Sequence, residues 1–523
     1  MTDAPTTYDE IPYTSHAYPL THPDRLAMVG RLFGMEPPDV TRARVLELGC
    51  ASGGNLIPMA EQYPGGTFVG VDLSARQIEE GQGALADIGI DNVTLRKADI
   101  ERIDAGWGTF DYILCHGVYS WVPPSTQERI LEICNRNLSP EGIAYISYNT
   151  YPGWHVRESV RHMTRFHVAQ FTDAHEQTEQ AAALVDFLAS SVAEDDLYGR
   201  LLRRELDILA RTSPEYLFHE HLEHHNAPLY FHQFAERLGP KGLQYLGEAD
   251  VHTMLAREMD PAVAETLGRI SPDIIVLEQY MDFVRNRQFR QSLICHEDVE
   301  LDRNIRPEIL PGFFIGYGGT VRNGAVDLRS DVMQTFESDG EISVSSGLPI
   351  AKAALTVAGE RWPDAVGFEE LCEAAGQRLE AAGVSAPEPD VARQQLAVDL
   401  LACFLQGLLE LRTSAPPVHR GVPERPKVSA YARWQLARGT SATNRRHVRV
   451  AFDDAAARIV GMLDGSRDRE GLIDGLVELL AAGKLELSSD DGSTIEPSTA
   501  RETLGNLVDQ TLSFLGDYAM MVD

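Results

Sequence analysis

Short apolar runs of strand length punctuate the first third of the chain, each separated from the next by a turn or a helix-periodic segment. RVLEL at 44–48 is such a run, GCASGGN after it is a glycine-rich turn, and LIPMAEQY opens a helix. GTFVGVDLS is a second strand that ends on the acid Asp72. NVTLRKADIERID predicts a third strand, FDYILCHGVYSWVPP a fourth running into a loop, and LSPEGIAYISYN a turn and a fifth. From about 156 to 225 the pattern turns helical and polar, with an apolar face on AAALVDFLASSV. That length is too great for a loop and predicts a helical insertion. FAERLGPKGLQYLGEAD then returns to helix, turn and strand, and FRQSLICH supplies a last strand, which puts a boundary near residue 300.

Outside this block, Tyr8, Tyr13 and Tyr18 with Pro12, Pro19 and Pro23 form an irregular aromatic lead-in, followed by a helix from about Asp24 to Phe33. Beyond residue 300, IRPEILPGFFIGY and GEISVSSG read as short strands, PIAKAALTVAGERW and GFEELCEAAGQRLEAAG as helices. Two such rounds, joined by the proline-rich 412–429, predict a winged-helix-like α+β region. The chain thus divides into a lead-in at 1–40, an α/β core at 41–155, an insertion with later strands at 156–300, and a C-terminal region at 301–523.

Composition narrows the class. No apolar run reaches the roughly 18 residues that a membrane span needs. The start, MTDAPTTYDEIPY, has neither the basic nor the apolar part of a secretory signal, so a cytoplasmic protein is expected. Six scattered cysteines without a C-x-x-C fit a reducing compartment. A formal net charge of −32 repels nucleic acid and anionic membranes. It favours cationic partners, a lysine-bearing protein or peptide among them, and it also serves solubility alone. Only five of the 46 basic residues are lysine.

The strand–turn–helix–strand unit at 44–74 has the chemistry of a nucleoside-binding half of a doubly wound sheet. Its glycines let a ligand approach the backbone, and Asp72 at the second strand end is placed to accept ribose hydroxyls. The spacing from Glu47 through Gly49, Gly53 and Gly54 is not the G-x-G-x-x-G of a dinucleotide site. It is similar to motif I of class I S-adenosylmethionine (SAM) methyltransferases. YISYNTYPGWH, EHLEHHNAPLYFHQFAERLGPKGLQYLGEAD and DFVRNRQFRQSLICH extend the likeness, more weakly joined by GLPIAKAAL, RWPDAVGFEELC and GMLDGSRDREGLI. Most of the chain resembles the methyltransferases that carry a methyltransferase regulatory domain, of which the rickettsial protein-lysine methyltransferases are representative.

The resemblance implies a Rossmann-like class I fold, SAM as cofactor, and a homodimeric enzyme. It implies methyl transfer to a protein or peptide side chain, a lysine amine foremost. As cofactor contacts it implies Tyr13, Gly49, Ala51, Gly53, Asn55, Asp72, Leu73, Asp99, Ile100 and His116, with Asp99 and Ile100 against adenine. Gly49 and Gly53 also read as plain turn glycines, Asp99 as a helix N-cap, and Cys50 and Cys115 as packing residues.

Tyr148, Asn149, Trp154 and His155 leave the carboxyl end of the fifth strand, where open α/β sheets place their chemistry. FHEHLEHHNAPLYFH at 218–232 holds five histidines and two glutamates. Glu223 stands where H-E-x-x-H needs its second histidine, so that motif fails. On a continued helix Glu220, Glu223 and His224 share one face, and His221 and His225 another. Displacement at a sulfonium needs no metal, and none is expected. The acceptor-side candidates are therefore His116, Tyr148, His155, Glu220 and His224, with Glu223 and Asn226 beside them; the alternative for 218–225 is a solvated helix. A small-molecule or peptide N- or O-methyltransferase and a non-catalytic SAM-binding scaffold are the alternative functions.

Overall fold

Four of the five residues of β1 (Arg44–Leu48) are buried, a burial that a strand reaches only with both faces of its sheet covered. The computed structural model describes residues 11–522 apart from 213, 257–258, 323, 330, 339–341, 420 and 486–499, so Tyr8 lies outside the described residues. β1 sits near the middle of a seven-stranded sheet of order β3-β2-β1-β4-β5-β7-β6. Its other strands are β2 (Thr67–Asp72), β3 (Val93–Lys97), β4 (Phe110–Cys115), β5 (Leu138–Asn149), β6 (Leu243–Glu248) and β7 (Phe289–His296). β1 to β5 run parallel, and β7 lies antiparallel between β5 and β6. The strand order reverses between β1 and β4, and there the carboxyl-end loops diverge and leave a crevice.

The helices follow the sequence pattern. α1 (Pro23–Leu32) closes the lead-in, one residue from the predicted bounds at each end. α2 (Leu56–Gln62) follows the glycine-rich turn, and α3 (Ala75–Ile88) is capped by Ser74 Oγ, which accepts from the Gln77 N–H at 3.2 Å. α4 (Pro124–Asn137) leads into β5. Side chains alternate along β5, so Tyr145 enters one core and Tyr148 the core on the opposite face.

The predicted insertion is a three-helix body, α5 (Trp154–Val168), α6 (Ala174–Ser191) and α7 (Leu197–Arg211), around Val160, Val185 and Leu202. A single helical turn at Pro214–Leu217 then widens into a π turn, Phe218–Leu222. Here the structure corrects the sequence reading. The helix does not continue to His225, because Glu223 takes an extended ψ of 147° and the chain turns away. Residues 150–288, which include the edge strand β6, begin after β5 and end before β7 at paired positions: Asn149 pairs with Phe289, and the Thr150 N–H donates to the Gln288 carbonyl at 2.9 Å.

Behind that junction lies a buried charge cluster. The Arg290 guanidinium, wholly inaccessible, donates to Glu248 at 2.8 Å, Glu278 at 2.9 Å and Asp282 at 2.8 Å, with the Phe231 ring centroid 3.8 Å away.

The C-terminal stretch 301–523, read as one region, has two cores. Residues from Leu310 to Leu411 pack into the same core as α1 and one face of the sheet. Val428 to Met521 form a separate core around Ile459, Leu472 and Leu504. The proline-rich connection is tied down at its start: Asp24 of α1 accepts from the Thr413 and Ser414 amides at 2.8 and 3.0 Å and pairs with Arg412 at 3.2 Å.

Candidate functional site

At the crevice between β1 and β4 lies a cavity of about 450 Å³, roofed by the lead-in. The roof is held at three points. The Gly54 N–H donates to Ser15 Oγ at 2.8 Å, Gln77 Nε2 to the Tyr13 carbonyl at 3.0 Å, and His219 Nε2 to the Ile11 carbonyl at 2.8 Å. A Cβ on Gly54 would stand 2.6 Å from the Ser15 carbonyl oxygen, so the lead-in reaches its seat only over a glycine. Gly49 has a φ of +77°, and a Cβ there would meet Val118 at 2.4 Å. This residue therefore serves both turn and close approach.

Asp72 ends β2 in the cavity wall and is fixed from both sides. The Ala51 N–H donates to one carboxylate oxygen and the Ser74 N–H to the other, each at 2.9 Å. A carboxylate at a strand end accepts from hydroxyl donors such as those of a ribose. Leu73, Asp99 and Ile100 continue this wall. Asp99 is also the N-cap expected as its alternative, accepting from the Glu101 N–H at 3.0 Å. Cys50 and Cys115 are buried, and burial pushes both thiols well above their ordinary range.

Glu47 sits at the other end of the glycine turn. Asn55 Nδ2 donates to its Oε1 at 2.7 Å, while Oε2 is buried without a partner. Burial pushes the Glu47 carboxyl up to about 8, against the Asn55 hydrogen bond that lowers it. An orphaned buried oxygen beside a glycine turn fits a ligand with a cationic group there. With Asp72 at the strand end and Gly49 and Ala51 presenting little side chain to the cavity, the residues present fit the nucleoside cofactor that the motif implies.

Between these ends His116 stacks on Tyr18 with centroids 3.9 Å apart. Its Nδ1 lies 2.8 Å from Tyr145 Oη, which itself receives a hydrogen bond from Gln291 Nε2 at 2.8 Å. Ser147 Oγ lies 3.4 Å from the same Nδ1, so His116 is held by a small hydroxyl network. Burial lowers His116 to about 4. The ring is therefore neutral at this site.

The far wall comes from the π turn. Glu220 lines the cavity, as do Tyr13, Tyr18 and Trp121. The Tyr13 and Tyr18 hydroxyls share a hydrogen bond, and burial, then Glu220, pushes Tyr13 up to about 12. Arg157 lies 3.5 Å from Glu220 and 3.4 Å from Glu205. Burial raises the Glu220 carboxyl and Arg157 opposes it. Arg161 and Arg165 donate to the carbonyls of Glu220, Glu223 and His224, capping the turn where its free carbonyls gather.

Of the sequence candidates, Tyr13, Gly49, Ala51, Asn55, Asp72, Leu73, Asp99, Ile100, His116 and Glu220 meet in this cavity. Tyr148 does not: the alternation of β5 buries it against Phe234, its hydroxyl on Ser292 at 3.1 Å. His155 stands on the exposed side of α5, stacked on Tyr151 at 3.9 Å. His224 is exposed once the helix stops at Leu222, and Glu223 supports the wall from behind through His219 at 3.3 Å. Asn226 accepts from Asn149 Nδ2 at 3.1 Å outside the wall. Gly53 takes a φ of +80° and packs on Leu95 and Ile57 without reaching the cavity, which makes it a turn glycine.

Trp154 packs edge-on behind Trp121 at 6.3 Å. Trp121, Tyr18 and Glu47 were missed as site residues. Glu47 was legible in the motif itself, but Trp121 faces the cavity only through a one-turn helix, Tyr119–Trp121, that has no sequence period. Among the described residues no three His, Cys, Asp or Glu side chains converge as a metal would need, and His221 is buried and neutral, lowered to about 3 by burial and then Arg157.

A second cavity, about 500 Å³, shares no wall residue with this one. Its Arg285 and Arg287 are already spent on the carbonyls of Thr253 and Leu255 and on Glu248.

Comparison with known proteins agrees with the geometry. Residues 45–142 match a family described as a methyltransferase domain, 213–296 one described as a predicted methyltransferase regulatory domain, and 424–520 the PKMT C-terminal winged helix domain. Protein RP789 of Rickettsia prowazekii is 34% identical over 98% of this chain and 93% of its own. A second protein of that organism, RP028, is 41% identical over 46% of this chain and 96% of its own. Among solved structures, PKMT2 from Rickettsia typhi in complex with AdoHcy is 31% identical and superposes with a TM-score of 0.86, covering 98% of this chain and 100% of that one.

Proposed function

Since the chain belongs to the family of SAM-dependent methyltransferases that includes PKMT2 of Rickettsia typhi, we propose that it methylates the side-chain amine of a lysine in a protein or peptide. One observation carries this reading: a half-buried carboxylate, Glu220, and three aromatic rings, Tyr13, Tyr18 and Trp121, line the same cavity as Asp72. Aromatic faces attract a cation by about 0.5–2 kcal/mol and accept its aliphatic stem, and a carboxylate fixes the charged head. An acid surface, −32 overall, draws a lysine-bearing chain toward that opening.

In this assignment Asp72 holds the ribose, Asp99 and Ile100 flank the adenine, and Glu47 Oε2 meets the ammonium of the methionine part. The bound cofactor supplies a methyl group on a sulfonium, already activated for displacement. The chain's residues do the rest. Tyr18, Tyr13 and Trp121 exclude water and align the acceptor, which contributes through proximity and orientation. A lysine amine, with a reference pKa near 10.4, attacks only when neutral. Glu220 first pairs with the ammonium and then takes its proton; burial makes it a stronger base than a solvated carboxylate. No helix of the described residues is long and apolar enough to cross a membrane, and all six cysteines are free thiols, which supports a cytoplasmic site of action.

The test is incubation with methyl-labelled SAM and lysine-bearing polypeptides, paired with arginine-substituted copies, followed by mass spectrometry. Label on lysine side chains supports the proposal. Label on carboxylates or only on small metabolites overturns the acceptor, and AdoHcy binding with no transfer overturns turnover. Glu220→Gln keeps the volume and the contact to Arg157 but not the charge. Steady-state kinetics should show the acceptor KM raised by about tenfold or more, with AdoHcy affinity within about twofold of the parent.

A further inference from the structure

The C-terminal domain presents a hairpin, Ser441–Thr443 paired with Arg449–Ala451, whose tip is not offered to solvent. It is driven into the back of the cofactor cavity. Arg445 donates to the Pro417 and Glu61 carbonyls, Arg446 to the Pro363 carbonyl and Glu410 while stacking on Trp362; Arg445 is 8% exposed and the Arg446 side chain 7%.

His447, 1% exposed, reaches furthest: its Nε2 lies 2.8 Å from Asn55 Oδ1. His447 adopts a φ of +62°, the left-handed region that costs a non-glycine residue strain, so the loop spends conformational energy to deliver this side chain.

We propose that His447 is a positioning residue for the cofactor, acting through Asn55 on Glu47 and on the lead-in. This rests on the cofactor reading above. Asn55 Oδ1 accepts from the Tyr18 N–H at 2.9 Å, which fixes that atom as the oxygen, so His447 Nε2 must be the donor. With its oxygen held by two donors, the amide cannot turn over. Its NH2 group is thereby committed to Glu47 Oε1 at 2.7 Å and Thr21 Oγ1 at 2.9 Å. The same lock turns the free Glu47 oxygen toward the ligand and seats Tyr18 on His116. Its remaining nitrogen, Nδ1, is buried without a partner, so the ring contributes this one hydrogen bond and no other. The structural elements that finish the cofactor site thus come from a domain whose own core is separate from that of the sheet.

Three variants and one wild-type measurement test this. His447→Asn tolerates the left-handed backbone but is too short to reach Asn55, whereas His447→Gln places an amide donor where Nε2 stood. Calorimetry with AdoHcy should give a Kd raised by about fivefold or more in His447→Asn and within about twofold in His447→Gln. The SAM KM should follow the Kd while kcat changes less. Arg446→Gln, whose loss disturbs the domain contact without touching Asn55, should lower the melting temperature yet leave the AdoHcy Kd in place. In the wild type, AdoHcy should slow amide hydrogen exchange at 444–448 as well as at the glycine-rich turn. Equal affinity in folded His447→Asn, or no added protection at 444–448, overturns the inference. Absence of AdoHcy binding by the wild type overturns the cofactor reading instead.

Discussion

Arg290→Met should abolish the cooperative unfolding of the sheet domain at its parental midpoint, lowering stability by about 3–5 kcal/mol. Removing this one cation leaves Glu248, Glu278 and Asp282 facing each other out of reach of water, with only Arg287 at 3.1 Å from Glu248 and 3.8 Å from Asp282 to offset them. Methionine fills the volume against Phe231, so the loss is electrostatic and not a cavity. Arg290→Lys should recover little, because one ammonium cannot match a guanidinium that serves three carboxylates from three nitrogens. Chemical denaturation followed by intrinsic fluorescence and circular dichroism reads the effect, and a midpoint within about 0.5 kcal/mol of the parent would sink it.

The second large effect falls on binding. Asp72→Ala should weaken AdoHcy by tenfold or more, about 1.4 kcal/mol for each factor of ten. Two losses combine: the acceptors for both ribose hydroxyls go, and the Ala51 and Ser74 amides that hold the carboxylate lose their partner. Asp72→Asn keeps one oxygen and should fall between. Isothermal calorimetry decides, with the melting temperature of the ligand-free protein as control. An unchanged Kd would reject the ribose assignment.

How far these sites were readable from sequence depends on what set them. Strands β1 to β5 and their glycine turn follow from local pattern: apolar runs, turn glycines and an acid at a strand end each act within a few residues. Asp72 and Gly49 line the cavity as that pattern expects, whereas Glu220 was named from a helix face that does not continue. Tyr148 does not line it, because strand polarity along β5 depends on which face meets which core, and both faces are buried. The His224 reading failed for a different cause. Whether a helix runs on past Leu222 is settled by Arg161 and Arg165, on a helix nearly sixty positions earlier, which gather the free carbonyls at its end. His447 stands further still, 392 positions from Asn55, and no pattern in the sequence joins them.

The pairing of Asn149 with Phe289 has a consequence for how such enzymes diversify. Between them lie the three-helix body, the π turn that carries Glu220, and then β6 with the helix that supplies Glu278 and Asp282 to Arg290. A change confined to the part ahead of β6 alters the cavity wall that Glu220 lines, while β1, β2, the glycine turn and the Arg290 cluster keep their places. One stretch of chain outside the sheet is thus free to vary in shape while the strands behind it stay fixed.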